Sequence, residues 1–518
     1  MDYDLLVVGG GINGVGVARD AAGRGLSVML VEAQDLAGAT SSASTKLIHG
    51  GLRYLEQYDF KLVKESLHER ERLYNAAPHI ISPMRFVLPH DNNLRPFWMI
   101  RSGLFLYDFL AGKKSLPKAE ALDFATDTKA DPLENDYKQG FSYSDCWVDD
   151  ARLVTLNAVD AYERGAVIMP RTACNYLEPI NENKNNAGWR ATLENMFTGD
   201  QFQVTAKVVV NAAGPWVRQL LDTSKISDDR TPRLRLVKGS HLVVPKIYDG
   251  DQAYILQQPD GRIIFTIPYE GKYTLVGTTD VPYDYDAGQV AIDDQEIEYL
   301  CDAVNRSFKK SIKASDVVWS YSGVRSLLDD GKENISKVTR DYKIHYKTKN
   351  GSPIFSIFGG KLTTYRALAD EVVDRVSTVF PDKKLMSWTA KSMLPGGDIP
   401  NHDFDAFYEQ QKARYTFMPE ELLHRYARAY GTRIDAIMEG VHKIDDLGVH
   451  YGDSVYEAEI QHMIKYEFVH TLDDILWRRS KMGLHVSEMT RTKISSALPN
   501  LLKATQEDES YYDSASGY

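Results

Sequence analysis

Three glycines near the start of the chain, Gly9, Gly11 and Gly14, are spaced as G-x-G-x-x-G, with Ile12 and Asn13 inside the turn. Glu32 follows at about the distance such a motif keeps to a ribose-binding acid. The spacing suits a dinucleotide. The first glycine makes a tight turn, the second lets backbone approach a pyrophosphate, and the third lets a helix pack closely on a strand. A carboxylate at position 32 accepts hydrogen bonds from adenosine ribose hydroxyls and disfavours a 2′-phosphate, so NADP is not expected. Two later runs end in glycine as well: N-A-A-G, with Gly214, and G-G-K-L-T-T-Y-R, with Gly360, Lys361, Leu362 and Thr363. Residues 40–46, T-S-S-A-S-T-K, form a hydroxyl-rich stretch whose plain reading is a solvated turn.

These residues need elements to hold them. D-L-L-V-V-G at 4–9 reads as a short buried strand stopped by glycines, residues 14–25 as a helix of small residues, and L-S-V-M-L-V-E as a second strand ending at Glu32. Together they make a βαβ unit. K-V-V-V-N-A-A-G at 207–214 and P-I-F-S-I-F-G-G at 353–360 read as further buried strands. Far more chain follows the motif than one nucleotide needs. FAD, an extended dinucleotide touched again by distant segments, is therefore expected rather than NAD. A helix beginning just after Gly360 would aim its free N–H groups and positive dipole end at the flavin's carbonyl edge. Between the later strands, residues 232–323 alternate apolar and polar as an antiparallel sheet does, a natural substrate wall. From about residue 395 the pattern turns helical and charged.

The expected division is an FAD-binding unit over 1–390, with an inserted substrate-binding region at about 80–140 and 232–330. A helical unit over 395–505 follows, then a disordered acidic tail over 506–518.

The chain has 518 residues and a formal charge of -11, from 72 acidic against 61 basic residues. That balance opposes non-specific binding to nucleic acid, so no such partner is expected. An anionic substrate needs a local cluster of cations inside a pocket. Three separated cysteines, Cys146, Cys174 and Cys301, form no C-x-x-C, so neither a metal site nor a disulfide framework is expected. The start of the chain lacks the pattern of a signal peptide, and no apolar run reaches the roughly 18 residues of a spanning helix. A cytoplasmic chain, at most held to a membrane face, is the expectation.

Several stretches carry a resemblance: V-G-G-G-I-N-G-V-G-V-A-R-D-A-A-G-R-G (8–25), S-S-A-S-T-K-L-I-H-G-G-L-R-Y-L-E (41–56), Y-S-D-C-W-V-D-D-A-R-L (143–153), K-G-S-H-L-V-V-P (238–245), G-T-T-D (277–280), Y-S-G-V-R (321–325) and G-G-K-L-T-T-Y-R-A-L-A (359–369). With these the chain resembles the FAD-dependent, quinone-linked glycerol-3-phosphate dehydrogenases, over at least residues 1–400. The resemblance implies an α/β fold: a Rossmann-like FAD-binding domain of the glutathione-reductase/amino-acid-oxidase type, an inserted antiparallel substrate sheet and a C-terminal helical domain. It implies hydride removal from C2 of sn-glycerol 3-phosphate to flavin, giving dihydroxyacetone phosphate, with quinone as acceptor.

On the matching segments, Arg53 and Arg325 are expected to fork the phosphate, and Arg340 and Lys361 to add positive potential near the reacting oxygen. His241 is the first choice of base and His49 the second, with Tyr54 as a pocket wall. Residues 40–46 become a pyrophosphate clamp, so Thr40, Ser41, Ser42, Ser44, Lys46 and Leu47 join the cofactor contacts. Thr278 and Thr279 either contact ligand or merely end a strand. Residues 94–114 combine Phe97, Trp98, Met99, Ile100, Phe105 and Leu106 with Arg95, Arg101, Lys113 and Lys114, which suits an interfacial segment at the inner face of the cytoplasmic membrane as well as it suits a buried helix. A homodimer also fits the resemblance. The rival readings are an oxidase of the same fold that reduces O₂, an amine or amino-acid oxidase, and a flavin-fold module that only binds a partner.

Overall fold

The structure, a computed structural model, describes the backbone of residues 1–91, 96–112, 115–181, 187–329 and 341–515, with the side chains of these except residues 53, 56, 57, 181 and 506–515. Arg340, Arg95, Lys113, Lys114 and the side chain of Arg53 therefore lie outside the described residues.

The first strand, Tyr3–Val8, runs parallel to Val28–Val31 on one side and to Gln201–Asn211 on the other. Val167–Met169 extends the sheet beyond Val28–Val31, and Ser352–Gly359 adds in parallel beyond Gln201–Asn211. Leu5, Leu6, Val7, Val208, Val209 and Val210 are fully buried, because long helices cover one face of the sheet and the antiparallel strands Thr172–Asn181 and Ala187–Asn195, with the short helix Val217–Thr223, cover the other. The helix Ile12–Gly23 packs against Asp150–Glu163 and Tyr365–Ser377, and its run of Gly and Ala side chains permits that close approach. Of the two later glycine-ended strands of the sequence, Gln201–Asn211 flanks the motif strand directly and Ser352–Gly359 lies one strand further out.

The second sheet is ten-stranded among the described residues. It runs Val281–Pro282, Leu234–Pro245, Tyr273–Gly277, Ile263–Tyr269, Ala253–Gln257, Ile81–Pro89, Gln139–Val148, Leu47–Ile48, with Trp319–Leu328 beside Leu234–Pro245 and Glu120–Asp123 beside Gln139–Val148. The sheet is mixed rather than wholly antiparallel. Ala253–Gln257 meets Ile81–Pro89 in parallel, Tyr254 opposite Val87, where two separate pieces of chain are joined. Such a joint is made by a long connection, so no hairpin constrains its direction.

From residue 399 on, the chain builds its own core, with Tyr426, Tyr430, Ile460, Met463 and Ile494 at its centre. The helices Phe404–Arg414, Glu420–Tyr430, Glu457–Glu467 and Glu488–Ala515 surround it, with a π-helical turn, Asp474–Arg479, and a small hairpin, His450–Gly452 with Val455–Tyr456. The last helix corrects one expectation. It runs to Ala515, through most of the stretch expected to be without structure. Ile494, Leu498 and Leu501 bury its first half, and a helix once nucleated extends at little cost per residue.

Among the described residues no helix is long and apolar enough to cross a membrane, and no group of His, Cys, Asp and Glu is placed to hold a metal ion. The three cysteines are free thiols.

Candidate active site

Two cavities meet beneath the ends of the parallel strands. The first, about 620 Å³, is walled by Gly9, Gly11, Glu32, Thr40, Ser41 and Gly214, together with residues 172–175 and 212–216. Its shape depends on close backbone packing. A Cβ on Gly14 would lie 1.9 Å from the carbonyl oxygen of Gly9, so only glycine lets the helix start this near the strand end. Gly9 itself turns at φ +112.

The Glu32 carboxylate accepts from the Gly10 N–H at 2.6 Å and the Gln34 N–H at 2.7 Å. Burial pushes its carboxyl up against the pull of these donors. Ser41 Oγ accepts from the Ile12 N–H at 3.0 Å, tying the hydroxyl-rich loop to the glycine turn. Asn13 points elsewhere, its Nδ2 donating to the Gly359 carbonyl at 3.4 Å. It joins the motif to the second glycine return instead of facing the cavity, and Ile12 and Gly14 likewise shape the turn from outside the wall. Cys174, on the far wall, has its thiol pushed up to about 12 by burial.

The second cavity, about 840 Å³, shares Thr40 with the first. Thr40 Oγ1 donates to the Val324 carbonyl at 2.8 Å, pinning the loop to the Trp319–Leu328 strand. Ser44, Leu47, His49, Tyr54, Arg325, Gly360, Lys361, Leu362 and Thr363 line this space. The Arg325 guanidinium is fixed by Asp280 at 2.5 Å, the Thr279 carbonyl at 3.2 Å and Thr278 Oγ1 at 2.9 Å. Lys361 Nζ sits 3.8 Å from the centre of the Tyr54 ring. The expected helix starts later than the sequence suggested, at Tyr365, because Gly359 and Gly360 both take positive φ and residues 361–364 form a turn. That turn, not the helix end itself, meets the cavity.

His49 stands on a braced segment. Its N–H donates to Thr363 Oγ1 at 3.3 Å, and the next N–H, of Gly50, donates to the Tyr107 hydroxyl oxygen at 2.8 Å. Tyr107 in turn donates to Asp145 at 2.7 Å, and Arg70 donates to the same carboxylate at 2.8 Å. Burial raises the Asp145 carboxyl and Arg70 opposes that rise.

His241 is placed differently from its expected role. It is 1% exposed, outside the cavity wall, with its ring stacked on Tyr321 at 4.8 Å and its Nε2 3.0 Å from Thr45 Oγ1. Burial, with Arg325 and Lys46 nearby, holds the imidazole well below its ordinary range and therefore neutral. Its hydrogen-bond partner Thr45 does line the cavity.

Lys46 also departs from its expected cofactor contact. Its fully buried ammonium pairs with Asp150 at 2.7 Å and donates to the Ser42 carbonyl at 3.2 Å. Asp150 further accepts from Ser44 Oγ at 2.7 Å, and Ser42 Oγ turns back to the Ala39 carbonyl. The loop is thus held by its own hydroxyls and one buried carboxylate.

Sequence reasoning did not single out Asp150, Asp145, Tyr107 or Thr45. Only the first had a visible signal, the Asp-Asp pair that opens the helix Asp150–Glu163. The two cavities, joined at Thr40 and walled by backbone on one side and cations on the other, suit an extended flavin dinucleotide with an anionic substrate beside it.

Comparison with known proteins agrees. Residues 4–366 match the family described as FAD dependent oxidoreductase, and residues 387–507 match the C-terminal domain of alpha-glycerophosphate oxidase. A D-erythritol 1-phosphate dehydrogenase of Brucella abortus is 49% identical, covering 94% of this chain and 96% of its own. A glycerol-3-phosphate dehydrogenase of Pseudomonas aeruginosa is 48% identical over 96% of this chain and 95% of its own. Among solved structures, the glycerol-3-phosphate dehydrogenase of Bacillus halodurans complexed with FAD aligns with a TM-score of 0.74 at 28% identity, covering 98% of this chain and 91% of that one. The chain belongs to the FAD-dependent oxidoreductases, in the branch that holds the glycerol-3-phosphate dehydrogenases, and FAD is its cofactor.

Proposed function

We propose that the protein oxidises sn-glycerol 3-phosphate at C2 to dihydroxyacetone phosphate and passes the electrons to a membrane quinone. The observation that carries this reading is Arg325, a guanidinium clamped in a fixed fork on the wall of the second cavity, which His49 and Lys361 also line. A chain of net charge -11 repels a phosphate dianion at long range, so such a fork must supply the attraction locally. FAD, when bound, supplies the two-electron acceptor.

The chain's own residues do the rest. Arg325 holds the phosphate, Lys361 adds positive potential at the reacting oxygen, and Tyr54 closes the wall. His49, the histidine at the cavity surface, takes the hydroxyl proton as hydride leaves. Arg53 and Arg340 stay in the proposal as further phosphate ligands on the strength of the resemblance alone.

Quinone as acceptor and a place at the inner face of the cytoplasmic membrane are supported by the helix Phe97–Leu110. It exposes Trp98, Phe105 and Phe109 to solvent while Met99, Ile100 and Leu106 line the cavity. Replacing Trp98, Phe105 and Phe109 by serine is expected to release the protein from anionic vesicles in a flotation assay. Unchanged binding would remove the membrane reading. A homodimer belongs to the same proposal and is read by sedimentation.

D-erythritol 1-phosphate is a second substrate reading, favoured by the 49% identical relative and by a cavity with room for a longer polyol. The deciding experiment is anaerobic bleaching of the flavin absorbance by each phosphate, followed by a quinone analogue or air. Bleaching by sn-glycerol 3-phosphate and rapid recovery with quinone are expected. Bleaching by the erythritol ester alone would move the substrate, rapid recovery in air with peroxide would make the protein an oxidase, and no bleaching by either would sink the reading.

A further inference from the structure

The geometry points to residues 467–481 of the C-terminal helical unit as a clamp that fixes the cofactor loops, with Arg478, Arg479 and Lys481 as positioning residues for FAD. The inference rests on the flavin reading of the two cavities.

Three anchors converge on this one stretch. The first is Asp35, between Glu32 and Thr40 in the loop that walls the dinucleotide cavity. It is 1% exposed and receives both arms of Arg479, at 2.6 and 2.8 Å, together with Arg478. Arg479, itself fully buried, also donates to the carbonyls of Glu467 and Phe468 at 2.6 and 3.0 Å, so Asp35 is held by the framework of the helical unit and not by a free side chain. The π-helical turn Asp474–Arg479 presents two consecutive arginines to one carboxylate. The same turn supplies Asp474, which accepts from Arg171 at 2.8 Å. Arg171 and Thr172 donate their N–H groups to the Gln34 and Glu32 carbonyls, both at 2.7 Å, next to the cavity wall at 172–175.

The second anchor serves the flavin side. Lys481 lies 3.6 Å from Asp149, and Glu467 pairs with Arg152 at 2.5 Å. Asp149 caps the helix whose next residue, Asp150, holds Ser44 and Lys46.

The third is aromatic. Trp477 stacks on Trp319 at 4.4 Å, Trp319 meets Tyr321 at 5.0 Å, and the Tyr321 hydroxyl donates to the Ser44 carbonyl at 2.8 Å. Residues 33–48 are thus gripped from three directions by one segment from beyond the flavin unit.

The test uses the full-length holoprotein with Arg478→Gln, since Arg478 is the more exposed arginine of the pair and Arg479 still holds Asp35. FAD dissociation is expected to quicken about ten-fold, and amide exchange in residues 33–48 to accelerate, with exchange in the helices Glu420–Tyr430 and Glu457–Glu467 unchanged. Arg478→Lys should recover part of both effects. Arg414→Gln, which breaks an exposed ion pair with Asp435 in the same unit, is the control. Unchanged FAD release and unchanged exchange in residues 33–48 would overturn the clamp, as would an equal effect in the control. A wild-type protein that holds no FAD would instead sink the flavin reading, and amide exchange in residues 33–48 would still decide the clamp. Asp35→Asn is expected to act more strongly, and if it fails to fold the Arg478 pair of variants carries the test.

Discussion

The two cavities are built by different means. The dinucleotide side is made of backbone: strand ends, the close approach at Gly14, and N–H groups aimed at Glu32. The substrate side is made largely of side chains, among them His49, Tyr54, Thr278, Asp280, Arg325 and Lys361, which only the folded sheets bring together. Backbone-built sites depend on where side chains are absent, and side-chain-built sites depend on which groups converge. The first should fail all at once when space is taken, and the second should fail group by group.

Gly14→Val gives the largest expected effect. Its side chain would overlap the Gly9 carbonyl, costing about 3 kcal/mol or more and leaving the purified protein without flavin. Visible absorbance and thermal unfolding check this, and a variant that keeps its flavin would break the comparison. Arg325→Met comes next. Charge-assisted hydrogen bonds contribute about 1.5–3 kcal/mol each, so KM for the phosphorylated polyol should rise about 10²-fold or more while the flavin stays bound. Steady-state kinetics beside the flavin spectrum separates the two.

His49→Gln should lower kcat about 10²-fold, with a smaller loss for His241→Gln, which lies outside the cavity wall behind Thr45. The reverse ranking would return the base role to His241.

The smallest effect concerns acid. Burial holds His241 well below its usual range, His79 at about 3 and His462 at about 4. Below pH 6.5 the unfolded chain takes up protons that these folded groups refuse. Their stabilisation is therefore complete above that pH and is lost as pH falls toward the folded values, each group contributing up to about 1.4 kcal/mol per pH unit. Urea midpoints between pH 7.5 and 5 should show a shallower slope in His241→Gln.

The same contrast governs what the sequence reveals. Gly9, Gly11, Gly14 and Glu32 are legible because a turn, a close approach and an acid at fixed spacing have few other uses. Arg325 and His49 were named from the matching segments, yet their surroundings were not. Nothing local distinguishes His49 from His241. The difference is that His241, in the middle of Leu234–Pro245, is covered by Tyr321 from the neighbouring strand. Lys46 looked like a pyrophosphate ligand until Asp150, a hundred residues on, took its charge. Tyr107 and Asp145 escaped notice because they meet the site through the backbone N–H of Gly50, and their own partners, each other and Arg70, lie far apart in the sequence. The mixed sheet was hidden for a similar reason, since the parallel joint of Ala253–Gln257 with Ile81–Pro89 is set by topology and not by alternation.

The order of strands in the parallel sheet bears on how the protein is made. Tyr3–Val8 is synthesised well before its neighbour Gln201–Asn211 and the next strand, Ser352–Gly359. At about 5–20 residues per second, roughly two hundred residues of delay is on the order of 10–40 s in which an apolar strand waits without its partner. The wall at 212–216 and the turn at 361–364 are also missing until then. Both cavity walls are therefore complete only after the strand Ser352–Gly359 and the turn that follows it have been made.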